Sequence, residues 1–222
     1  MVGFRIVRSA ARPARSLIED FASIPTAIIS DNMHRLFAGG IALRPYHGDR
    51  LLSGVALTVR TRPGDNLMVH KALDIAQPGD VIVVDAGGDV TNAIIGEIML
   101  SYGKSRGVVG FVIDGAVRDS AAIGTMDLPV YARGITHRGP YKDGPGEIGI
   151  AVTVGGMVVN DGDIIIGDED GLLAIPQERA EAILELAKAQ QAREADILRS
   201  IADGTIDRSW VDTTLAAKGV EL

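Results

Sequence analysis

The segment GVVGFVIDGAVRD, residues 107–119, decides the fold class of this chain. Its apolar run, residues 108–113, is long enough for a strand and far too short to cross a bilayer. A strand this uniformly apolar is buried on both faces, as in the sheet of an α/β domain. The charged residues Asp114, Arg118 and Asp119 follow at its carboxyl end, where ligands bind in α/β sheets. The segment therefore predicts a buried strand that delivers charged side chains to a site.

Outward from this strand, the chain alternates strand and helix signals before a run of strands. Thr26 follows Pro25 and is a candidate helix N-cap. We predict helices over residues 16–22, 26–39, 67–76, 91–102, 120–124 and 177–202. We predict strands over residues 54–61, 81–85, 108–113, near 130, and at 150–159, 164–166 and 172–175. This order favours stacked sheet layers with helices on one side over a doubly wound sheet.

Composition bounds the domain count and the class of partner. A chain of 222 residues fits one large domain or, less readily, two small ones, and a hydrophobic content of 46% supplies a core. The net charge of -7 repels phosphate backbones and anionic membranes, so we expect neither nucleic acid nor membrane as a partner. The absence of cysteine excludes disulfides and thiolate metal sites, and agrees with a cytoplasmic location. The arginine-rich N-terminus has no apolar core, so we expect no secretory signal.

Two consecutive strand–helix units collect charged side chains after their strands. An arginine can grip a carboxylate through two parallel hydrogen bonds, and an aspartate can hold a hard cation through oxygen. With no Cys and four scattered His, any metal would have oxygen ligands, as Mg²⁺ or Mn²⁺ does. Taken alone, an Arg-Asp pair is more simply a surface turn whose charges face water. The charged residues of the two units are Asp85, Asp89, Glu97, Asp114, Arg118 and Asp119.

Gly96 directly precedes Glu97 and has two interpretations. It indicates either a close backbone approach or a helix N-terminus whose free N–H groups bind an anion. Alternatively, it is a glycine tolerated within a helix.

Six segments resemble, in order, the blocks of the RraA-like family. The resemblance covers roughly residues 20–200, and residues 113–119 form its most specific block. The family includes 4-hydroxy-4-methyl-2-oxoglutarate / 4-carboxy-4-hydroxy-2-oxoadipate aldolases, which also decarboxylate oxaloacetate, and the regulator of ribonuclease E activity. The matching segments are TAIISD (26–31), GDNL (64–67), PGDVIVVD (78–85), GEIM (96–99), residues 107–119 and GDIIIGDEDG (162–171).

This resemblance implies a single α/β domain of three β/β/α layers, of the swivelling type. Its core would span about residues 20–176, followed by a helix over about 177–202 and a tail over 203–222. The implied assembly is a homotrimer or hexamer with the site between subunits. The implied activity is that of a Mg²⁺- or Mn²⁺-dependent pyruvate aldolase acting on a small 2-oxo acid, with oxaloacetate decarboxylation. The alternative is a non-catalytic regulator that binds a ribonuclease or helicase.

The family's catalytic signature is an acidic residue, twenty intervening residues and Arg-Asp, which Glu97, Arg118 and Asp119 match. By this resemblance, Asp119 ligates the metal, and Arg118 binds the pyruvyl oxygens and steadies the enolate. The N–H groups of Ile98 and Met99 hold the pyruvyl carboxylate, and Glu97 orients or deprotonates a water. The characterised aldolases have Asp where this chain has Glu97, whose extra methylene moves the carboxylate by roughly one bond length.

The C-terminal helix offers one further acidic residue. Its apolar stripe runs from Ile183 to Leu198 and Ile201, and Glu194 falls on the same line. The family places a carboxylate beyond the direct metal ligands in this helix, from the neighbouring subunit, and Glu194 is the candidate. If the stripe drifts around the helix, Glu194 instead reaches solvent.

The four histidines, at positions 34, 47, 70 and 137, have no ligand-like spacing. We interpret them as surface or packing residues. Asp168, Glu169 and Asp170 precede Gly171 and are interpreted as a tight turn rather than a second metal site.

Overall fold

The computed structural model describes residues 3–7 and 12–221. Its strands are β1 (Phe4–Ile6), β2 (Arg44–Pro45), β3 (Leu52–Thr61), β4 (Asp80–Asp85), β5 (Ala93–Ile95), β6 (Gly110–Val117), β7 (Val130–Ile135), β8 (Gly146–Ile148), β9 (Val152–Val154), β10 (Met157–Val159), β11 (Ile164–Asp168) and β12 (Gly171–Ile175). Its α-helices are α1 (Arg15–Phe21), α2 (Thr26–Asn32), α3 (Leu67–Ile75), α4 (Glu97–Ser105), α5 (Ser120–Thr125), α6 (Ala180–Ala202) and α7 (Ser209–Ala217).

Within the described residues, ten strands form one mixed sheet whose main path is β1-β8-β3-β4-β6-β7-β2. Its centre is parallel, because β3, β4, β6 and β7 pair in that direction. β5 continues the parallel pairing along the end of β6. β11 and β12 pair antiparallel on the other side of β3, and β9 and β10 form a separate hairpin.

Three layers are defined by the side chains that pack together. On one sheet face, α3, α4 and α5 bury residues such as Leu73, Leu100 and Ile123 against the parallel strands. On the opposite face, the β9–β10 hairpin buries residues such as Val154 and Met157. α1, α2 and α6 cover the β11–β12 pair as a further cluster. The predicted β/β/α arrangement of one mixed α/β domain is confirmed.

Strand β6 continues to Val117, beyond the predicted end at residue 113. Its C-terminal residues pair with the segment that follows β4 in the chain. All eight residues of β6 are buried, including Asp114, so the strand does not end at residue 113. The predicted helix over 91–102 is wrong in its first half. Residues Ala93–Ile95 form β5 because they pair in parallel with the end of β6, beyond the last pairing of β4. Helix α4 therefore begins only at Glu97.

Helix α2 differs from its prediction at both ends. Pro25 occupies the N-cap position, and Thr26 is the first helical residue. The Thr26 N–H and Oγ1 both donate to Asp168, at 2.9 and 2.7 Å, so this threonine ties the helix to β11. The helix ends at Asn32 rather than near Gly39, because His34 and Arg35 adopt positive φ angles. Asp168 also accepts the N–H of Asp170, which confirms the predicted tight turn.

The C-terminal helix is present as a 3-10 turn, Gln177–Arg179, followed by α6. Its apolar stripe is buried only in the first half, at Ala180, Ile183, Leu184 and Ala187. Leu198 and Ile201, further along, are 66% and 52% exposed. The polar tail contains α7, which was not predicted. None of the helices in the described residues is long and apolar enough to cross a membrane.

Candidate active site

The site lies where the β5–α4 and β6–α5 connections meet. β5 pairs with the end of β6, with Ile95 opposite Val117. The N–H of Arg118 donates to the carbonyl of Ile95 at 3.0 Å. Parallel pairing therefore brings the Gly96-Glu97 and Arg118-Asp119 dipeptides together, although twenty residues separate them in the chain.

Asp119 is held between these two connections. Its φ of 61° is left-handed, a conformation that aspartate tolerates better than most residues. Its Oδ2 accepts the N–H of Glu97 at 3.0 Å and lies 3.6 Å from Arg118 Nε. The Arg118 and Asp119 side chains are each 40% exposed, so the pair is reachable from solvent.

Gly96 leaves the space that Asp119 and Arg118 occupy. A Cβ at this position would lie 2.4 Å from Asp119 Oδ2 and 2.8 Å from Arg118 Cγ. The glycine has an extended φ of -150°, so it is required by close approach and not by backbone strain. This geometry decides between the interpretations of Gly96 in favour of a close backbone approach at a helix start.

A cavity of about 320 Å³ opens beside this pair. The first turn of α4 forms part of its wall, with Ile98 and Met99 at the second and third helical positions. N–H groups in the first turn of a helix have no intrahelical acceptor and favour anions. The residues that matter for its chemistry are Asn66, His70, Ile98, Met99, Arg118 and Lys142.

The structure therefore assembles most of the predicted site residues. Arg118, Ile98 and Met99 line the cavity, and Asp119 lies beside it in contact with Arg118 and the Glu97 backbone. The Glu97 side chain is exposed at the start of α4 and does not form part of the cavity wall.

Glu194 lies apart from this assembly. It is half-buried on α6 and accepts a hydrogen bond from Gln190 Nε2 at 2.9 Å. Within the described residues of one chain, no contact joins Glu194 to the cavity.

The other three acidic residues that follow the strands, Asp114, Asp85 and Asp89, make contacts outside the cavity. Asp114 is buried, forms an ion pair with Arg133 and accepts the N–H of Gly155. This hydrogen-bonded pair raises the pKa of Arg133. Asp85 accepts the N–H of Gly87, and Asp89 accepts that of Thr91. These three carboxylates stabilise turns and contacts of the β9–β10 hairpin rather than the cavity.

Three cavity residues were missed by the sequence interpretation. Asn66 is 1% exposed; its Nδ2 donates to the Ile94 carbonyl at 2.8 Å, and its Oδ1 has no partner among the described residues. His70 was interpreted as a surface or packing residue, and Lys142 lies in the loop before β8. Burial, followed by the nearby Lys142 ammonium, lowers the pKa of His70 below 6.5, against the opposing effect of Asp74. The GDNL block at residues 64–67 was a signal for Asn66 only.

Asp119 is the side chain that fits a divalent cation. The described residues contain no group of three or more His, Cys, Asp or Glu side chains placed to hold a metal. Mg²⁺ commonly takes one or two protein carboxylates and fills its remaining positions with water and substrate oxygens. Oδ2 of Asp119 is engaged by Glu97 N–H, whereas Oδ1 accepts no hydrogen bond from a described residue. A Mg²⁺ or Mn²⁺ ion bound here would have Asp119 as its one carboxylate ligand among the described residues.

Comparison with known proteins defines the class that this fold and site represent. The family model described as "RraA-like: Aldolase/RraA" matches residues 26–174, and the chain belongs to this family. A Halalkalibacterium halodurans protein named "Putative 4-hydroxy-4-methyl-2-oxoglutarate aldolase" is 40% identical over 189 residues, which cover 85% of this chain and 90% of that protein.

Solved structures agree with the fold. An uncharacterized protein from Pseudomonas syringae pv. tomato superposes with a TM-score of 0.79 at 24% identity, covering 88% of this chain and 96% of its own. The RNA-processing inhibitor RraA from Thermus thermophilis superposes with a TM-score of 0.64 at 30% identity, covering 68% of this chain and 92% of its own.

Proposed function

We propose that this protein is a carbon–carbon lyase that releases pyruvate from 4-hydroxy-2-oxo acids of the 4-hydroxy-4-methyl-2-oxoglutarate type. Oxaloacetate decarboxylation is a second reaction of the same site, because both pass through the enolate of pyruvate. The name of the Halalkalibacterium relative supports the aldolase class. We propose a cytoplasmic location, which the absence of cysteine accommodates.

One observation carries the proposal: a guanidinium and the free N–H groups of a helix start share one cavity with an adjacent carboxylate. Arg118 and the N–H groups of Ile98 and Met99 can together hold a 2-oxo carboxylate. The same cavity is lined by Lys142, so positive groups outnumber negative ones in its wall. An anionic substrate is therefore favoured.

In the proposed cleavage, a base takes the proton of the 4-hydroxyl and the C3–C4 bond breaks. Its electron pair forms the pyruvate enolate, and the other fragment leaves as a carbonyl compound. The Arg118 guanidinium stabilises the charge that develops on the enolate oxygen. When bound at Asp119, Mg²⁺ or Mn²⁺ would supply Lewis acidity toward the keto and carboxylate oxygens.

Glu97 is the proposed proton carrier. Its carboxylate stands at the first position of α4, next to the backbone N–H that holds Asp119. Because its side chain lies outside the cavity wall, it would act through a water that it orients, and this water protonates the enolate carbon to yield pyruvate. Its exposure keeps it in contact with bulk solvent, so the proton is replaced after each turnover.

We propose that the active assembly is a homotrimer or hexamer in which a neighbouring chain completes the site. The second half of α6 supports this, because Leu198 and Ile201 are exposed on the same helix as Glu194. Packing this apolar face against a neighbour would carry Glu194 toward another chain's cavity. Glu194 would then act beyond the direct ligands of the metal.

The alternative is a regulator that binds a ribonuclease or helicase without catalysis. The Thermus relative, an RNA-processing inhibitor at 30% identity, is the observation that favours it. The acidic net charge of -7 suits either function.

A coupled pyruvate assay tests the proposal. Purified protein is given 4-hydroxy-4-methyl-2-oxoglutarate or oxaloacetate, with Mg²⁺ or with EDTA. 2-Oxoglutarate, which lacks the 4-hydroxyl, is the matched control substrate. Rates are taken above those of a protein-free reaction, because oxaloacetate releases pyruvate by itself in the presence of Mg²⁺. We expect a protein-dependent rate from the first two substrates with Mg²⁺ only, and none from 2-oxoglutarate. Pyruvate release no faster than without protein, from both substrates at millimolar Mg²⁺, would favour the regulator.

A further inference from the structure

Asp65, in the GDNL block, is a fully buried carboxylate that no step of the proposed reaction uses. Its Oδ1 accepts the N–H of Leu67 at 2.9 Å, at the start of α3. Its Oδ2 accepts the N–H groups of Asp143 and Gly144 at 2.8 and 3.0 Å, and Arg62 Nη2 at 3.0 Å. One carboxylate thus joins α3 to a loop that lies 78 residues further along the chain.

That loop forms part of the cavity wall. Gly139, Pro140 and Lys142 line the cavity, directly before the two residues that Asp65 holds. The backbones also pair, since Asn66 N–H donates to the Tyr141 carbonyl at 3.0 Å and Tyr141 N–H to the Gly64 carbonyl at 2.8 Å. The Asp65 side chain extends this pairing, because it accepts the next two N–H groups of the loop, those of Asp143 and Gly144.

We propose that Asp65 is a positioning residue, whose carboxylate fixes the 139–144 loop so that Lys142 stays in the cavity wall. The inference rests on the proposed function only for its effect on turnover. An unpaired buried N–H group is costly, so the loop has no equally good position without an acceptor at Asp65. A loop that relaxes moves Lys142 while leaving Arg118 and Asp119 in place, because these two residues are held by hydrogen bonds with Ile95 and Glu97.

The protonation state of Asp65 agrees with this role. Burial acts to raise its pKa, but the hydrogen bonds from Leu67, Asp143 and Gly144, together with Arg62, outweigh burial and lower it. The carboxylate is therefore charged throughout the neutral range, and the loop is fixed at every pH at which the enzyme would work.

The test compares Asp65→Asn with the wild type. The amide keeps the shape of the side chain but has one accepting oxygen instead of two, so either the two loop N–H groups or the Leu67 N–H loses its acceptor. The ion pair with Arg62 is lost in both orientations. We expect hydrogen exchange of residues 141–144 to accelerate by about tenfold, with the core strands unchanged. We expect the KM for the 2-oxo acid to rise by about tenfold while kcat stays within about twofold.

His70 supplies a second readout that needs no turnover. Lys142 and Asp74 are the charged groups that act on its pKa, and Arg118 lines the same cavity. Titration of the His70 ring by NMR should give a pKa in Asp65→Asn that is higher than in the wild type. It should move toward the pKa measured in Lys142→Gln, where the lysine charge is absent.

Asp143→Asn is the matched control, because it makes the same chemical change in an exposed side chain of the loop and leaves the bonded backbone N–H in place. It should leave the exchange rates and the His70 pKa unchanged. Asp65→Ala removes both accepting oxygens and is measured beside Asp65→Asn, with at least the same expected acceleration.

Unchanged exchange at residues 141–144 with an unchanged His70 pKa in Asp65→Ala would overturn the proposal, as would equal effects of Asp65→Asn and Asp143→Asn. Failure of the aldolase activity itself would show as absent pyruvate in the wild type. The exchange and NMR results would still decide the role of Asp65.

Discussion

At the residue scale, Gly96 is the position in the site with the least room for a side chain, because Asp119 lies directly against it. A Cβ there would lie 2.4 Å from Oδ2, a distance that forces Asp119 or Arg118 to move. Displacements of about 1 Å in a site can cost about 100-fold in rate. We expect Gly96→Ala to lower kcat/KM for pyruvate release by about that factor, with a melting temperature close to the wild type.

Gly124→Ala is the control for this variant. Gly124 lies in α5, which begins directly after Asp119, and the nearest atom to its added Cβ would be 3.9 Å away. Alanine also has the higher helix propensity, so this variant should keep full activity and gain slight stability. Full activity in Gly96→Ala would mean that Asp119 does not need its observed position.

Glu97 is the second residue whose role can be isolated by one substitution. A general acid or base commonly contributes about 100-fold or more to the rate. We expect Glu97→Gln to lower kcat by at least about 100-fold, with a KM close to the wild type. Glu97→Asp should retain most of the activity, because the characterised aldolases that the chain resembles have Asp at this place.

Glu169→Gln, on the exposed β11–β12 turn, is the control and should keep the wild-type kcat. A Glu97→Gln enzyme with unchanged kcat would remove Glu97 from the mechanism.

At the element scale, helix α6 links the fold to the proposed assembly. Its first half is buried within the chain, and its second half presents Leu198 and Ile201 to solvent. Under the proposed homotrimer or hexamer, these side chains pack against a neighbour. We expect Leu198→Asp combined with Ile201→Asp to convert the oligomer to a monomer and to abolish most of the activity. Light scattering coupled to size exclusion measures the change.

Ala192→Asp is the control for α6, because Ala192 is exposed on the same helix but lies off the Leu198–Ile201 line. It should leave the oligomer intact. A wild-type protein that elutes as a monomer would contradict the proposed assembly.

The sequence was informative about elements whose pattern is local. The apolar strand before Arg118 and the long C-terminal helix were predictable because their signals lie within one stretch of chain. β5 was not, because a three-residue apolar run becomes a strand only by pairing with the end of β6. Thr26 was expected to cap its own helix, but it bonds Asp168, a partner 142 residues away that no local pattern reveals.

At the scale of the whole molecule, acid sensitivity should reveal the Asp65 contacts. The pKa of Asp65 is lowered below 3.8 in the fold, so its contribution to stability is fully present above about pH 4. That contribution is lost as pH falls through the lowered pKa. We expect Asp65→Asn to melt below the wild type at pH 7, with the difference shrinking below pH 4. Thermal melts between pH 7 and pH 2 measure it. A difference that stays constant or grows at low pH would contradict the pKa shift.

The candidate site depends on the whole fold more than on any one motif. Glu97, Arg118 and Asp119 were recognised because their spacing matches a family signature. Asn66, His70 and Lys142 come from other segments and meet them only in the folded chain, so no spacing rule could predict them. The cavity wall is thus a product of sheet order, which places α3, α4 and the loop before β8 side by side.

The most direct test is the rate of pyruvate release by Asp119→Ala, measured beside the wild type at saturating Mg²⁺ with 4-hydroxy-4-methyl-2-oxoglutarate. We predict measurable turnover by the wild type and a loss of at least about 1,000-fold in the variant, with hydrogen exchange of the core strands unchanged. A variant that releases pyruvate at the wild-type rate would contradict the central claim that Asp119 seats the cation on which the reaction depends.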